Sequence, residues 1–326
     1  MSSSQQRATT VGFDRAHDAT ALGLGALFAA LVAISLWAAL VARAAQFVVR
    51  PGASPGSILL VSGAASLVGL AGGALLFARY RDIDLSLGRP QPGALRSALG
   101  TVVAPAALVV GTALVADAAF GVTLRSLTNR FVSPDASLRF LLWTMGLPAA
   151  FLGVGYGVLF CALVTERVRA LVGGEDTVAV AALLAGFFWL LPIDAAGTLR
   201  LSIGSAVELT ASLVFGVAFA MALGILHQRV ESSADGAAGF DASALARRHL
   251  LVLAVAAVGL FGAATGLTNI GEVVVDGLWV TAFTVGALGY ERTRSVWVPS
   301  LAMAGFNLAL GAVVYAEAVL GITGGI

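Results

Sequence analysis

Few side chains in this chain could do chemistry away from water, and they are scattered. Glu208 sits a few residues into an apolar run, in IGSAVELTASL, and Asp194 follows Pro192 at the end of another. A carboxylate in such a place can activate water or relay a proton, so each is a candidate functional residue. The plainer reading makes Glu208 an interfacial group near Arg200 and Asp194 a helix cap. Asp117 ends an apolar run and reads as interfacial, while Glu272 and Asp276 flank another and read as water-facing. The three histidines are His17, His227 and His249. The last two end one apolar run and begin the next, so they could approach each other. Hydrolytic zinc takes about three protein ligands and a water, and no metal site is assigned here. Cys161 is the single cysteine. No intramolecular disulfide can form, and with no base visible beside it the thiol reads as a small buried side chain. Phosphate-binding glycine loops, dinucleotide fingerprints, haem motifs and zinc-finger spacings are missing from the sequence.

The elements that must position these residues are membrane helices. Hydrophobic residues make up 59% of the chain and charged residues 11%, against about 25% charged in a soluble domain. Such a chain cannot cover a water-facing surface. The net charge of +1 argues against nucleic acid as a partner. A span needs about 20 apolar residues. Candidates lie near 20–42, 57–78, 98–118, 139–164, 177–196, 203–226, 249–268, 274–290 and 297–319. The run at 274–290 is short, carries Asp276 and is the weakest. No segment alternates like a barrel strand. The fold class expected is therefore all-α, a polytopic membrane bundle of about nine, or eight to nine, transmembrane helices.

Three regions follow: an N-terminal tail at 1–19, helices with an arginine-rich connector at 20–134, and a core at 135–326 with a polar loop at 227–248. All 19 basic residues are arginine. With the N-terminus in the cytoplasm, most arginines fall in cytoplasmic segments, notably 79–97, 167–169, 247–248 and 292–294. That bias predicts a multi-pass cell-membrane protein with its C-terminus outside. Gly69 and Gly73, and likewise Gly153 and Gly157, have the four-residue spacing that lets helices pack closely. Trp143, Trp189, Trp279 and Trp297 read as interface anchors and packing groups.

The stretch Gly286 to Asn307, GALGYERTRSVWVPSLAMAGFN, carries the strongest pattern. It resembles the last signature of the CPBP family of intramembrane proteases, also called CAAX-protease-like or self-immunity proteins, which contains E-R-T-G-S-L-W-x-P. Tyr290, Glu291, Arg292, Thr293, Ser295, Trp297, Pro299 and Asn307 agree with it. The resemblance extends over about 135–319. It implies three reactive motifs, and here each is degenerate. For E-E-x-x-F-R-G the chain has Tyr156, Gly157 and Cys161 at the glutamate and arginine positions, around Phe160. For F-x-x-x-H it has Phe188 and Pro192. For H-x-x-x-N it has Met303 and Asn307.

The family implies a divalent metal held by histidines and water activated by glutamate. Tyrosine, glycine, proline and methionine cannot supply those ligands, and a thioether suits hydrolytic zinc poorly. The resemblance thus implies a relative without proteolysis and without cofactor, acting as a membrane binding, regulatory or chaperone-like protein. Its partners would be the bilayer and other membrane proteins or prenylated and hydrophobic peptides. On this reading Tyr156, Gly157, Pro192, Met303 and Asn307 face one another across an interior cavity. Two rivals stand beside it. One is an active protease with a rearranged site built on Glu208, Asp194 and Asn307. The other is a small transporter or channel-like protein, which needs a polar path between the two faces.

Overall fold

A computed structural model describes residues 3–49, 54–90, 92–128, 130, 132–172, 177–189 and 270–322. The spans expected at 203–226 and 249–268, the loop at 227–248, and Pro192, Asp194, Glu208, His227 and His249 lie outside the described residues. The described part consists of helices and the segments that connect them, with no strand. In lipid a backbone must satisfy its own hydrogen bonds, and a helix does this within one segment.

Helix α1 (Ser3–Val48) is followed by α2 (Pro55–Leu67), which passes through a π segment (Val68–Gly72) into α3 (Gly73–Tyr80). Next come α4 (Leu95–Phe120) and the short α5 (Leu124–Leu127) and α6 (Leu138–Phe140). A π segment (Leu141–Gly146) leads to α7 (Leu147–Tyr156), and another (Gly157–Leu163) leads to α8 (Val164–Val172). The described chain ends with α9 (Thr177–Trp189), α10 (Ile270–Thr293) and α11 (Trp297–Val319). Local signals set several boundaries. Ser54 Oγ accepts from the Ser57 amide with Pro55 in the first turn of α2, and Thr123 and Ser137 cap α5 and α6 in the same way. Gly121 ends α4 at φ +62°, a left-handed residue that glycine takes at low cost.

Among the described residues, six helical stretches are long and apolar enough to cross a bilayer: Leu22–Ala45, Gly56–Tyr80, Leu95–Ala118, Leu138–Val172, Val273–Thr293 and Trp297–Val319. Thr177–Trp189 is a shorter apolar helix. The chain is a polytopic integral membrane protein. Two expectations change in detail. The tail at 1–19 is helical from Ser3, continuous with α1. The stretch thought weakest, 274–290, belongs to the 24-residue α10. It is the most enclosed of the six, 72% buried against 28% for Leu22–Ala45. A helix surrounded by protein needs less apolar character than one facing lipid.

The centre of the bundle is α10 and α11. Helix α11 packs on α4, α7 and α10, while α10 also touches α9 and the Gly157–Leu163 π segment. Residues on both sides of position 134 therefore share one core. The outer helices turn apolar side chains outward: Leu36, Trp37 and Leu40 on α1, and Leu99, Val103 and Leu114 on α4. A bilayer is the environment for such faces.

Both glycine pairs are spent on packing within the chain. A Cβ on Gly69 would stand 2.5 Å from Ala38 Cα, and one on Gly73 would stand 2.9 Å from Ile34 Cγ2, so α1 rests on this face. A Cβ on Gly153 would meet Met303 O at 2.5 Å, and one on Gly157 would strike Ser300 Cα, so α7 lies against α11 backbone to backbone.

The arginine-rich connector is also a structural part. Residues 83–90 run without helix and dock on the start of α11. The Val296 amide donates to Ser86 O at 3.0 Å, Ser295 Oγ donates to Gly88 O at 2.7 Å, and Trp297 Nε1 donates to Leu87 O at 2.9 Å. Leu85 is buried beside them.

Candidate functional site

The described positions singled out by the family resemblance lie on α7, the π segment after it, α9 and α11. Tyr156 ends α7, Gly157 and Cys161 lie in the following π segment, Phe188 is near the end of α9, and Met303 and Asn307 lie one turn apart on α11. Tyr156, Cys161 and Met303 are buried in one cluster, and Phe188 packs against it. Pro192 lies outside the described residues.

Among the described residues, aromatic rings surround Tyr156. The Tyr156 ring lies 4.8 Å from Trp189, 5.8 Å from Trp279 and 5.8 Å from Phe160, centroid to centroid. Phe160 in turn meets Phe188 at 5.8 Å and Phe283 at 5.3 Å. Trp279 stacks on Trp189 at 4.7 Å and meets Phe306 at 4.8 Å. Tilted and edge-on pairs like these contribute about 0.5–1.5 kcal/mol each beyond simple burial. On the opposite side, Gly157 is closed against Pro299 and Ser300. Gly157 is where a second carboxylate would have to stand, and any side chain there would collide with the α11 backbone.

The remaining polar groups are occupied locally. Asn307 Nδ2 donates to Met303 O at 2.9 Å, within its own helix. The Cys161 thiol points at Phe283 O at 3.8 Å, and a Cβ on Gly286 would press on its sulfur. Met303 has no exposed surface. Among the described residues, no group of three or more His, Cys, Asp and Glu side chains could hold a metal. The donors at these positions are a tyrosine enclosed by rings, a thioether and an amide already engaged. They do not fit the divalent metal that the resemblance implies.

The polar chemistry sits at the two ends of the bundle. At one end, Arg294 pairs with Glu291 at 2.6 Å and with Glu166 at 3.0 Å, and Arg169 approaches the same carboxylates at 3.7 and 3.9 Å. The cluster joins the ends of α8 and α10. It has two charges of each sign, with each carboxylate near both guanidinium groups, an arrangement for holding helices together. Arg294 lies in the turn after α10. Its φ of +50° is unusual for a residue with a side chain.

At the other end, Glu317 is buried near the end of α11. Its carboxylate accepts the Leu124 amide at 2.9 Å and the Arg125 amide at 2.6 Å, capping α5 from a distant part of the chain. Sequence reasoning passed over Glu317. The available signal was an acidic residue in an otherwise apolar span, in VVYAEAV. Asp117 is exposed at the end of α4, and Asp276, expected to face water, is instead half-buried near the start of α10. Trp143 and Trp297 are about half exposed, while Trp279 is buried. No family model, curated protein or solved structure matches the chain.

Proposed function

We propose that this protein is a CPBP-like membrane protein in which the hydrolytic centre has been replaced by a packed aromatic core. It acts by binding within the membrane and not by cleaving peptides. One observation carries the reading: Tyr156 is enclosed by Trp189, Trp279 and Phe160, while Gly157 is closed against α11. Those are the positions where the resemblance would place water-activating glutamates. The E-R-T-x-S turn adds support, since Arg294 takes a left-handed conformation where the family pattern has glycine. Its partners are other membrane proteins or prenylated and hydrophobic peptides, and the N-terminus is cytoplasmic with the C-terminus outside.

The test uses the full chain in lipid nanodiscs with a farnesylated peptide carrying a photoreactive group. Saturable crosslinking without cleavage, with zinc or cobalt present, is the expected result. Metal-dependent cleavage that Tyr156→Phe abolishes would overturn the loss of catalysis. Crosslinking that an unprenylated peptide matches would overturn the partner class.

A further inference from the structure

The end of the bundle that carries Glu317 also holds a cavity of about 300 Å3. It lies between α5 with the chain just after it, the end of α9, the first turns of α10 and the middle of α11. Thr128, Arg130 and Asp276 form its polar wall, and Trp189, Trp279 and Leu310 line the apolar side. Trp279 is roughly 20 Å along α10 from the Arg294 cluster, at 1.5 Å per residue, so the two polar regions are independent.

Arg130 gives the cavity its character. It is partly buried, and that burial lowers the pKa of its guanidinium from the ordinary arginine value. Among the described residues its side chain makes no ion pair and no hydrogen bond. A guanidinium has five N–H donors and no acceptor, so a desolvated one calls for an anion. The segment presenting it is held from several sides. The Arg130 amide donates to Arg125 O at 3.3 Å, Thr128 Oγ1 donates to Leu124 O at 2.9 Å, and Glu317 anchors the start of α5. Asp276 lines the same cavity and has an interaction of its own. One cation near a carboxylate suits a singly charged anion better than a doubly charged one.

We propose that this cavity binds the monoanionic head of an amphiphile, a carboxylate or phosphodiester paired with Arg130, with its apolar chain against Trp189, Trp279 and Leu310. Charge-assisted pairing with the guanidinium supplies selectivity, and the indole and leucine surfaces accept the chain. The same chemistry could come from an anionic lipid of the bilayer or from a free fatty acid.

The full chain, purified in an uncharged maltoside detergent, is titrated with phosphatidylglycerol, phosphatidylcholine or decanoate and read by native mass spectrometry and thermal shift. The expected result is one saturable phosphatidylglycerol or decanoate, bound at least about tenfold tighter than phosphatidylcholine. Competition by decanoate identifies a free amphiphile as sufficient, and its failure to compete identifies the lipid. Arg130→Gln should weaken binding about tenfold and Arg130→Lys less. Leu127→Trp, which fills the cavity and leaves the charge in place, should abolish binding. Arg139→Gln, exposed at α6, should bind like the native chain. Equal binding of phosphatidylcholine overturns the proposal, as does unchanged binding in both Arg130→Gln and Leu127→Trp. It also falls if Arg130→Gln is non-additive in stability with Asp194→Asn or Glu208→Gln, because the anion would then be intramolecular.

Discussion

The middle of the bundle and its two ends solve opposite problems. In the middle, around Tyr156, Trp279 and Met303, rings meet rings and backbone lies on backbone. At the ends, carboxylates and guanidiniums gather, and most are matched: Glu166, Arg169, Glu291 and Arg294 with one another, Glu317 with two amides. The contrast separates packing from charge. Stability in the middle comes from contact and shape, so it should be sensitive to volume and indifferent to salt. Stability at the ends comes from hydrogen bonds and ion pairs, so it should respond to their removal and, at the exposed pairs, to ionic strength.

Substitutions can break this contrast, and the largest effect belongs to the middle. Trp279→Ala removes a ring that meets Tyr156, Trp189, Phe283 and Phe306. It should cost about 3 kcal/mol in thermal or denaturant unfolding in detergent. A loss well under 1 kcal/mol would mean that the rings do not hold the core. Gly157→Val must push α11 away and should cost about 2–3 kcal/mol, whereas Gly111→Ala on α4, where a Cβ meets nothing within 4 Å, should be nearly silent.

The ends come next. Glu317→Ala leaves two buried amides without an acceptor and should cost about 2 kcal/mol. Faster hydrogen exchange at Leu124 and Arg125 would locate the loss, and unchanged exchange would refute the cap. The Arg294 pairs should be weakest. The carboxylates are 24% exposed and Arg294 is 34% exposed, so solvent screening holds each pair to about 0.5 kcal/mol. Arg294→Gly should be better tolerated than Arg294→Ala, because glycine relieves the positive φ. The difference between native protein and Arg294→Ala should shrink at 1 M salt. The reverse order of glycine and alanine would show that the backbone at 294 is not strained.

Several of these features were legible before any coordinates. Glycine spacing predicted close helix approaches, and both pairs make them. Hydropathy predicted the spans, and each predicted span that falls among the described residues is helical. Cys161 was expected to be buried and inert in packing, and it faces α10. What could not be read was which helix is central. Hydropathy ranked the 274–290 segment last because of Asp276, yet α10 is the most enclosed. Asp276 sits near the helix start, where the carboxylate meets the polar end of the bundle. The aromatic cluster was illegible for a similar reason. Tyr156, Phe188, Trp279 and Phe306 are widely separated in sequence, and no local period relates them.

By itself the sequence determined the class of molecule, the positions of the membrane helices among the described residues and the close contacts its glycines allow. These are local properties, set by whether about 20 consecutive residues tolerate hydrocarbon and whether a missing Cβ lets backbones meet. Tertiary structure decided which helices lie inside, where Glu317 finds its amides, how residues 83–90 dock, and that Arg130 lines a cavity. In a membrane the lipid-facing and protein-facing sides of a helix are both apolar, so the hydropathy pattern carries little information about which side turns inward. Only contacts between distant segments resolve that choice.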